Sequence, residues 1–527
     1  MKRIVFLIIG IFFVLGAVLP GCEIDGDGWW MIYIAVCGPF TDIQGMNMWD
    51  GATMAIDEIN AAGRVTINGT PFELVLKKVE TRETTEGEKG STGQAHLAAV
   101  IDYVDFFVGG FRTEVVDVYR EVAMNAKKIF MDCGAATGSL QFTTVTNYAR
   151  YKYWFKSTPY NESFLVTSLL KMTSTIGSLL KETLQTLEAA NSTCVKDEFK
   201  VSNAVGGKLR VEILMENAAW CAGMVTAANN YLPLLGFNVT GSTTVSPTAL
   251  DISDVLATIA LHNPHIIFTA FSGQLGQLYS IQKNFLPIPA MTIGINVPGQ
   301  QLSHWANTDG MCEGEIMLDA WAVNLSNTPT TLDWFNDYTM MFGQYPIYTV
   351  GTYDAIKYLC EAIEATQSLD SDTLVAWMEQ PANMMKDSIA SARVGTYPMP
   401  DITYNSTLCF LTPDQVAQYY DLASYNWTYN QLDWGCGYNG TTQQPHIAHD
   451  LLYGPGYATG IGSQWQAVNA SGQKVGIWPM YLGPDYDAAL TDQYGNWNFQ
   501  YPGTKKTILP IGGMLNIPWD PYAHLVP

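Results

Sequence analysis

Short apolar runs that stop at small residues, each followed by an amphipathic helical pattern, constrain this chain more than any other feature. Residues 31–36 (MIYIAV) form a continuous apolar stretch of the buried-strand type. A Gly-Pro turn follows. Met48, Ala52, Ala55, Ile56 and Ile59 then recur at helical spacing, while Asp50, Asp57, Glu58 and Asn60 take the other face. Gly63 suits the end of that helix, where a left-handed residue is wanted. The unit recurs. Residues 105–108 (DFFV) run into Gly109-Gly110, and a helical pattern then passes through Val116 and Val122. Residues 128–131 (KIFM) run into 133–137 (CGAAT), and further strands are read at 209–215, 266–271 and 291–295. Alternation of this kind predicts an α/β chain with parallel sheets flanked by helices. A length of 527 residues exceeds what one core supports, so two or more domains are expected.

The N-terminus carries a different signal. Lys2 and Arg3 precede an apolar run over 4–19, and Leu19-Pro20-Gly21-Cys22 follows. A basic start, a short apolar stretch and a small residue before a break describe a secretion signal. The tetrapeptide resembles a lipobox, in which Cys22 becomes the lipidated first residue. An uncleaved anchor is the alternative, because the run of about 16 apolar residues almost spans a bilayer. Residues 23–30 read as a linker. Eight cysteines besides Cys22 permit disulfides in an exported chain, with Cys194–Cys221 and Cys409–Cys436 the most local pairs. Sequons at Asn68, Asn161, Asn191, Asn238, Asn324, Asn405, Asn426, Asn439 and Asn469 fit an extracellular surface.

The net charge of -22 argues against a nucleic-acid partner, since basic residues occur at most in pairs such as Lys127-Lys128 and Lys505-Lys506. No phosphate-binding Walker loop, H-E-x-x-H or G-x-S-x-G occurs, and residues 454–460 lack dinucleotide-binding spacing. His446 and His449 with Asp450 lack a distant third ligand, so no metal site is expected. The pair Asp57-Glu58 belongs to a solvated helix face. No enzyme activity and no cofactor are expected. From about 397 the texture turns to Tyr, Asn, Trp, Gly and Gln, which reads as loops and short antiparallel strands. Ligands of open parallel sheets bind beyond the carboxyl ends of the strands. There Gly109-Gly110 and Gly134-Ala135-Ala136-Thr137 let a solute approach backbone N–H groups at helix starts, a setting that favours an anion.

Several segments share a family likeness. Residues 32–63 (IYIAVCGPFTDIQGMNMWDGATMAIDEINAAG) are similar to the opening of the branched-chain amino acid type of periplasmic binding protein. FFVGGFRT (106–113), CGAAT (133–137), ALDISDVL (249–256), NPHIIFTAF (263–271), GTYDAIKYLCEAI (351–363) and GIGSQWQ (460–466) follow in that family's order. The resemblance covers 31–395 well and 443–485 loosely, while 397–442 is longer than the family's return segment. It implies two Rossmann-like lobes with parallel sheets, joined by three crossovers near 155–158, 319–321 and 394–397. Residues 31–155 and 320–394 would form one lobe, 156–319 and 395–485 the other with 397–442 inserted, and 486–527 a tail.

The resemblance also implies site residues. Thr113 takes the place of the hydroxyl that binds the ligand carboxylate, and Ala135 and Thr137 supply backbone and hydroxyl partners. Trp220 and Phe271 fall on the aromatic positions of the second lobe. Asn296 and Asn161 stand where the amino acid binders carry the Glu and Asp around the α-ammonium, which weakens that half of recognition. Arg112, beside Thr113, adds a cation for a carboxylate. The expected function is solute binding for an ABC permease, with an amino-acid-like, amide or carboxylate solute and a protein held at the outer face of the cytoplasmic membrane. A ligand-sensing receptor of the same fold is the alternative. An output domain is not seen before Pro527, which favours transport.

Overall fold

The computed structural model describes residues 30–83, 90–158, 162–286, 288–323, 331–379, 461–468, 471–478 and 514–516, and the backbone of 437–438 and 445–446. Two sheets organise it. The first has the order β2-β3-β1-β4-β5-β6, from β1 (Trp30–Gly38), β2 (Val65–Ile67), β3 (Thr70–Glu80), β4 (Phe106–Gly109), β5 (Phe130–Asp132) and β6 (Trp154–Lys156). The second has the order β13-β12-β11-β10-β9-β7-β8. Its members are β7 (Arg210–Glu216), β8 (Asn238–Val245), β9 (Ile266–Phe271), β10 (Met291–Asn296), β11 (Ile316–Asp319), β12 (Ile461–Val468) and β13 (Ser471–Trp478).

The central ladders are parallel: β1 with β3 and β4, β4 with β5, β9 with β7 and β10. Within them β1, β4, β9 and β10 are buried on both faces, which is why they read as unbroken apolar runs. Each fully buried large apolar side chain here, such as Ile34, Phe106 or Phe268, contributes about 1.5–3 kcal/mol. Antiparallel pairing enters with β2, β12 and β13, in line with the antiparallel reading of the region beyond 397 but not foreseen for β2. β2 runs antiparallel to β3, β12 antiparallel to β11, and β13 antiparallel to β12. The β2–β3 and β12–β13 links are short, and short links can only form hairpins.

The chain leaves the first sheet after β6 and enters α3 (Glu162–Ala190), which packs against the second sheet. It leaves the second sheet after β11. The helices α5 (Thr331–Phe342), α6 (Thr352–Thr366) and α7 (Ser371–Met378) then return to the first lobe. The return is fixed on α1 (Ile43–Ala61). Tyr338 donates to Asn47 Oδ1 at 2.9 Å, Thr349 to the Gln44 carbonyl at 3.0 Å, and Thr352 to the Met48 carbonyl at 2.7 Å. At the head of α1 a Cβ on Gly45 would sit 2.3 Å from the Pro39 carbonyl oxygen, so glycine is what lets the Pro39 turn lie on the helix. The crossover expected near 394–397 lies outside the described residues, as do Cys22, Asn161, Cys409 and Cys436.

One cysteine pairing considered from sequence is absent, and part of 486–527 joins the body. Cys194 and Cys221 are both free thiols. Cys221 Sγ lies 3.8 Å from the Ala270 carbonyl, while the Cys194 carbonyl accepts from the Asn516 N–H at 2.8 Å. The tail is not wholly apart from the body either. Leu515 bridges Val195 antiparallel, and Met514 and Leu515 are buried against the second lobe.

Candidate ligand-binding site

The carboxyl ends of the central strands face one another across a pocket. It spans about 490 Å³, open mouth included, and is lined by Phe111, Arg112, Thr113, Gly134, Ala136, Leu165, Trp220, Ser272, Ile295, Val297, Gln300, Leu318 and Tyr348. The first lobe supplies its wall from the turn after β4 and the turn after β5. The second lobe supplies its wall from the loops after β7, β9 and β10.

The turn after β4 is strained in favour of glycine. Gly109 and Gly110 have φ of 113° and 94°, and a Cβ on Gly109 would meet the Cys37 carbonyl oxygen at 2.2 Å. That conformation brings Phe111, Arg112 and Thr113 to the mouth of α2 (Thr113–Asn125). Thr137 donates its hydroxyl to Thr113 Oγ1 at 2.6 Å, and both are buried. The hydroxyls therefore form one pair beside the Arg112 side chain. Arg112 Nε is buried and has no hydrogen-bond partner among the described residues. Its guanidinium reaches toward the second lobe, where a Cβ on Gly273 would lie 3.6 Å from Nη2. Gln44 crosses the same gap and donates to the Ser272 carbonyl at 2.7 Å.

Beneath this wall lies Glu83, 1% exposed. It accepts from the Phe111 N–H at 3.0 Å, Thr81 Oγ1 at 2.7 Å and Tyr119 at 2.9 Å, and also from the Arg112 N–H. Burial pushes its carboxyl up to about 7 against those hydrogen bonds, which favour the charged form. The folded protein then holds this proton more tightly than the unfolded chain between the ordinary 4.5 and about 7. The associated stability is fully present below 4.5 and is lost as pH rises through about 7. Glu83→Gln copies the neutral carboxyl, with its carbonyl to the two N–H groups and its NH2 to the hydroxyls. It is expected to flatten the fall in melting temperature between about pH 5 and about pH 8. An unchanged profile would contradict this.

The neighbouring turn is organised by Asp132. Its carboxylate pairs with Lys156 at 2.7 Å, both fully buried, and accepts from the Ala135 N–H at 3.1 Å. The Ala135 N–H is thus committed inside the protein, and Gly134 and Ala136 line the pocket on either side of it.

In the second lobe, Trp220 opens α4 (Ala219–Tyr231) and donates to Glu216 Oε1 at 2.6 Å. Ser272 Oγ donates to the same oxygen at 2.5 Å, and the Ser272 N–H to Oε2 at 2.9 Å. Trp220 and Ser272 thereby stand between the Glu216 carboxylate and the pocket. Phe271 is fully buried and packs on Tyr279 with ring centroids 5.2 Å apart, away from the lining. Asn296 is also turned inward. Its amide donates to the Gly276 carbonyl and accepts from the Gly299 N–H, both at 3.2 Å, while Ile295 and Val297 line the pocket beside it.

Of the residues singled out from sequence, Arg112, Thr113 and Trp220 meet at the pocket, with Thr137 one hydrogen bond behind. Ala135, Asn296 and Phe271 support it from adjacent positions. Ser272, Gln300 and Tyr348 were not anticipated. Ser272 and Gln300 follow the nominated Phe271 and Asn296 by one and four residues. Tyr348 comes from the return segment and carries no local signal.

The architecture has relatives. A sequence profile of the periplasmic binding protein family matches residues 33–395. The chain belongs to that family. Its members bind solutes and catalyse no reaction, and no metal-binding cluster occurs among the described residues of this periplasmic binding protein. No helix among them is long and apolar enough to cross a membrane. No curated protein matches the sequence closely enough to count as a relative. Among solved structures, a leucine-binding protein from Thermotoga maritima shares 15% identity at a TM-score of 0.52, over 84% of this chain and 97% of its own. A branched-chain amino acid transporter substrate-binding protein from Streptococcus pneumoniae, in complex with isoleucine, shares 13% at 0.53, over 85% and 99%. An ABC transporter solute-binding protein from R. palustris, in complex with benzoate, shares 11% at 0.54, over 85% and 96%. At these identities the likeness is one of fold.

Proposed function

We propose that the protein is the extracytoplasmic solute-binding component of an ABC importer, and that its solute is a small carboxylate with an apolar or aromatic body. The observation that carries this reading is the Arg112 guanidinium. It reaches a pocket walled by Phe111, Leu165, Trp220, Ile295, Val297 and Leu318 while its Nε has no hydrogen-bond partner among the described residues. A buried N–H without a partner is costly, and a carboxylate held by guanidinium and hydroxyl donors offsets that cost. The Thr113–Thr137 hydroxyl pair stands beside it.

The ammonium half of amino acid recognition has less support. No Asp or Glu appears among the described lining residues, and Asn296 is spent on Gly276 and Gly299. Glu216 is engaged by Trp220 and Ser272. The benzoate-bound relative of like fold is consistent with an acid that lacks an amine. Anchoring through Cys22, or through an uncleaved 4–19 segment, belongs to the same proposal, as does docking on a permease.

Calorimetric titration against benzoate, short aliphatic carboxylates, amides, urea and leucine tests it. Micromolar or tighter binding of an amine-free carboxylate is expected. Binding of leucine with no affinity for any amine-free acid would overturn the solute assignment. Turnover of a bound solute would overturn the binding-only role.

A further inference from the structure

A second polar side chain at the pocket has one atom without a partner among the described residues. Gln300 lies between β10 and β11, is 2% exposed and lines the cavity. Its Oε1 is buried and has no hydrogen-bond partner among the described residues. Such an orphan amide is costly unless something else fills its bonding capacity.

The backbone around it, in contrast, is tied down. The Gln300 carbonyl accepts from Lys474 Nζ at 2.7 Å, and the Gly299 carbonyl from Trp465 Nε1 at 2.8 Å. The Gln300 N–H donates to the Val297 carbonyl at 3.0 Å. Side chains of β12 and β13 thus set the loop, and the amide is held in place for a bound molecule to meet.

We propose that Gln300 is a specificity-determining residue that pairs with a hydroxyl on the solute, away from its carboxylate. The solute would then be a hydroxylated carboxylic acid, such as a hydroxylated aromatic acid. This inference rests on the carboxylate reading above. A hydroxyl both donates and accepts, so the amide serves it in either of its two orientations. Arg112 and the Thr113–Thr137 pair from the first lobe take the carboxylate, Gln300 from the second takes the hydroxyl, and apolar walls enclose the body. Closure of the lobes is then coupled to the presence of both groups.

Titrations of benzoate, 3-hydroxybenzoate and 4-hydroxybenzoate into the intact protein, Gln300→Leu and Gln300→Met test it. The methionine variant keeps the side-chain length and covers a folding failure of the leucine variant, and melting curves check both. The native protein is expected to bind one hydroxybenzoate at least about tenfold tighter than benzoate. The variants should lose roughly that factor for the hydroxylated ligand and leave benzoate within about twofold. Equal weakening of all three ligands, no weakening of any, or no preference in the native protein would overturn the role of Gln300. Should the native protein bind no carboxylate at all, the solute reading fails and this inference falls with it. Benzoate binding with a hydroxyl preference that survives substitution removes Gln300 alone.

Discussion

Arg112→Met is expected to lower affinity for a carboxylate solute by roughly 100-fold or more, with no loss of stability in the empty protein. Both halves follow from geometry. Among the described residues Arg112 Nε has no hydrogen-bond partner and the side chain makes no ion pair, so the empty folded protein gains little from the guanidinium. A bound carboxylate gains a great deal, because a charge-assisted bond in a water-poor pocket is far stronger than an exposed one. Methionine keeps much of the apolar stem, and the backbone N–H that donates to Glu83 is untouched. The melting temperature of the empty variant should equal or exceed that of the parent, the pattern expected when a binding residue is held at the expense of stability. Thr113→Val should cost about tenfold in affinity, since it removes one neutral hydroxyl. Calorimetry and melting curves on the same preparations decide the matter. A large fall in melting temperature with affinity preserved would show that Arg112 is structural.

The second large effect concerns Lys474. Its ammonium lies 2.6 Å from Asp319, with both side chains fully buried. Burial pulls the Lys474 ammonium below its ordinary range, and Asp319 opposes that shift. The Asp319 carboxylate also accepts from the Ala320 N–H at 2.7 Å and from Ser463 Oγ at 3.1 Å. Lys474→Met leaves this carboxylate buried with its hydrogen bonds and no counter-charge. The expected cost is about 3–5 kcal/mol, read as a lowered denaturation midpoint. Adding Asp319→Leu to Lys474→Met should recover most of that loss, because a buried ion pair contributes little net over an apolar pair. A single variant within about 0.5 kcal/mol of the parent would contradict the account. The same substitution should loosen the loop at Gln300, whose carbonyl Lys474 also holds.

The parallel core was legible because its strands are buried on both faces and read as unbroken apolar runs. β3 was not, since Thr70–Glu80 exposes Lys77 and Lys78 and alternates only partly. The long α3 was missed for a related reason: its apolar stripe is diluted by Thr and Ser. At the site, strand ends and glycine turns pointed to the loops at Gly109-Gly110 and 134–137, while Thr113, its neighbour Arg112, and Trp220 came from the family resemblance. What failed was the side-chain direction within a loop. Asn296 ends β10 as expected, yet its amide turns to Gly276 and Gly299, and Val297 and Gln300 take the wall. Gln300 owes its place to Lys474 and Trp465, and Tyr348 belongs to a segment that packs on α1. Contacts of such range leave no local periodicity to read.

The pairing of β11 with β12 has a consequence for the order in which the molecule can be assembled. Ile316 is matched to Gln464, so one flank of the second sheet is supplied by a segment made long after the other five strands. Until that hairpin is available during synthesis, β11 presents a bare edge, and Asp319 has no ammonium beside it. The first sheet has no such wait: all six of its strands precede residue 157 in the chain. The nascent protein therefore passes through a stage with one sheet complete and the other open along β11. That edge is where misassociation between copies would begin and where a chaperone would have most to protect.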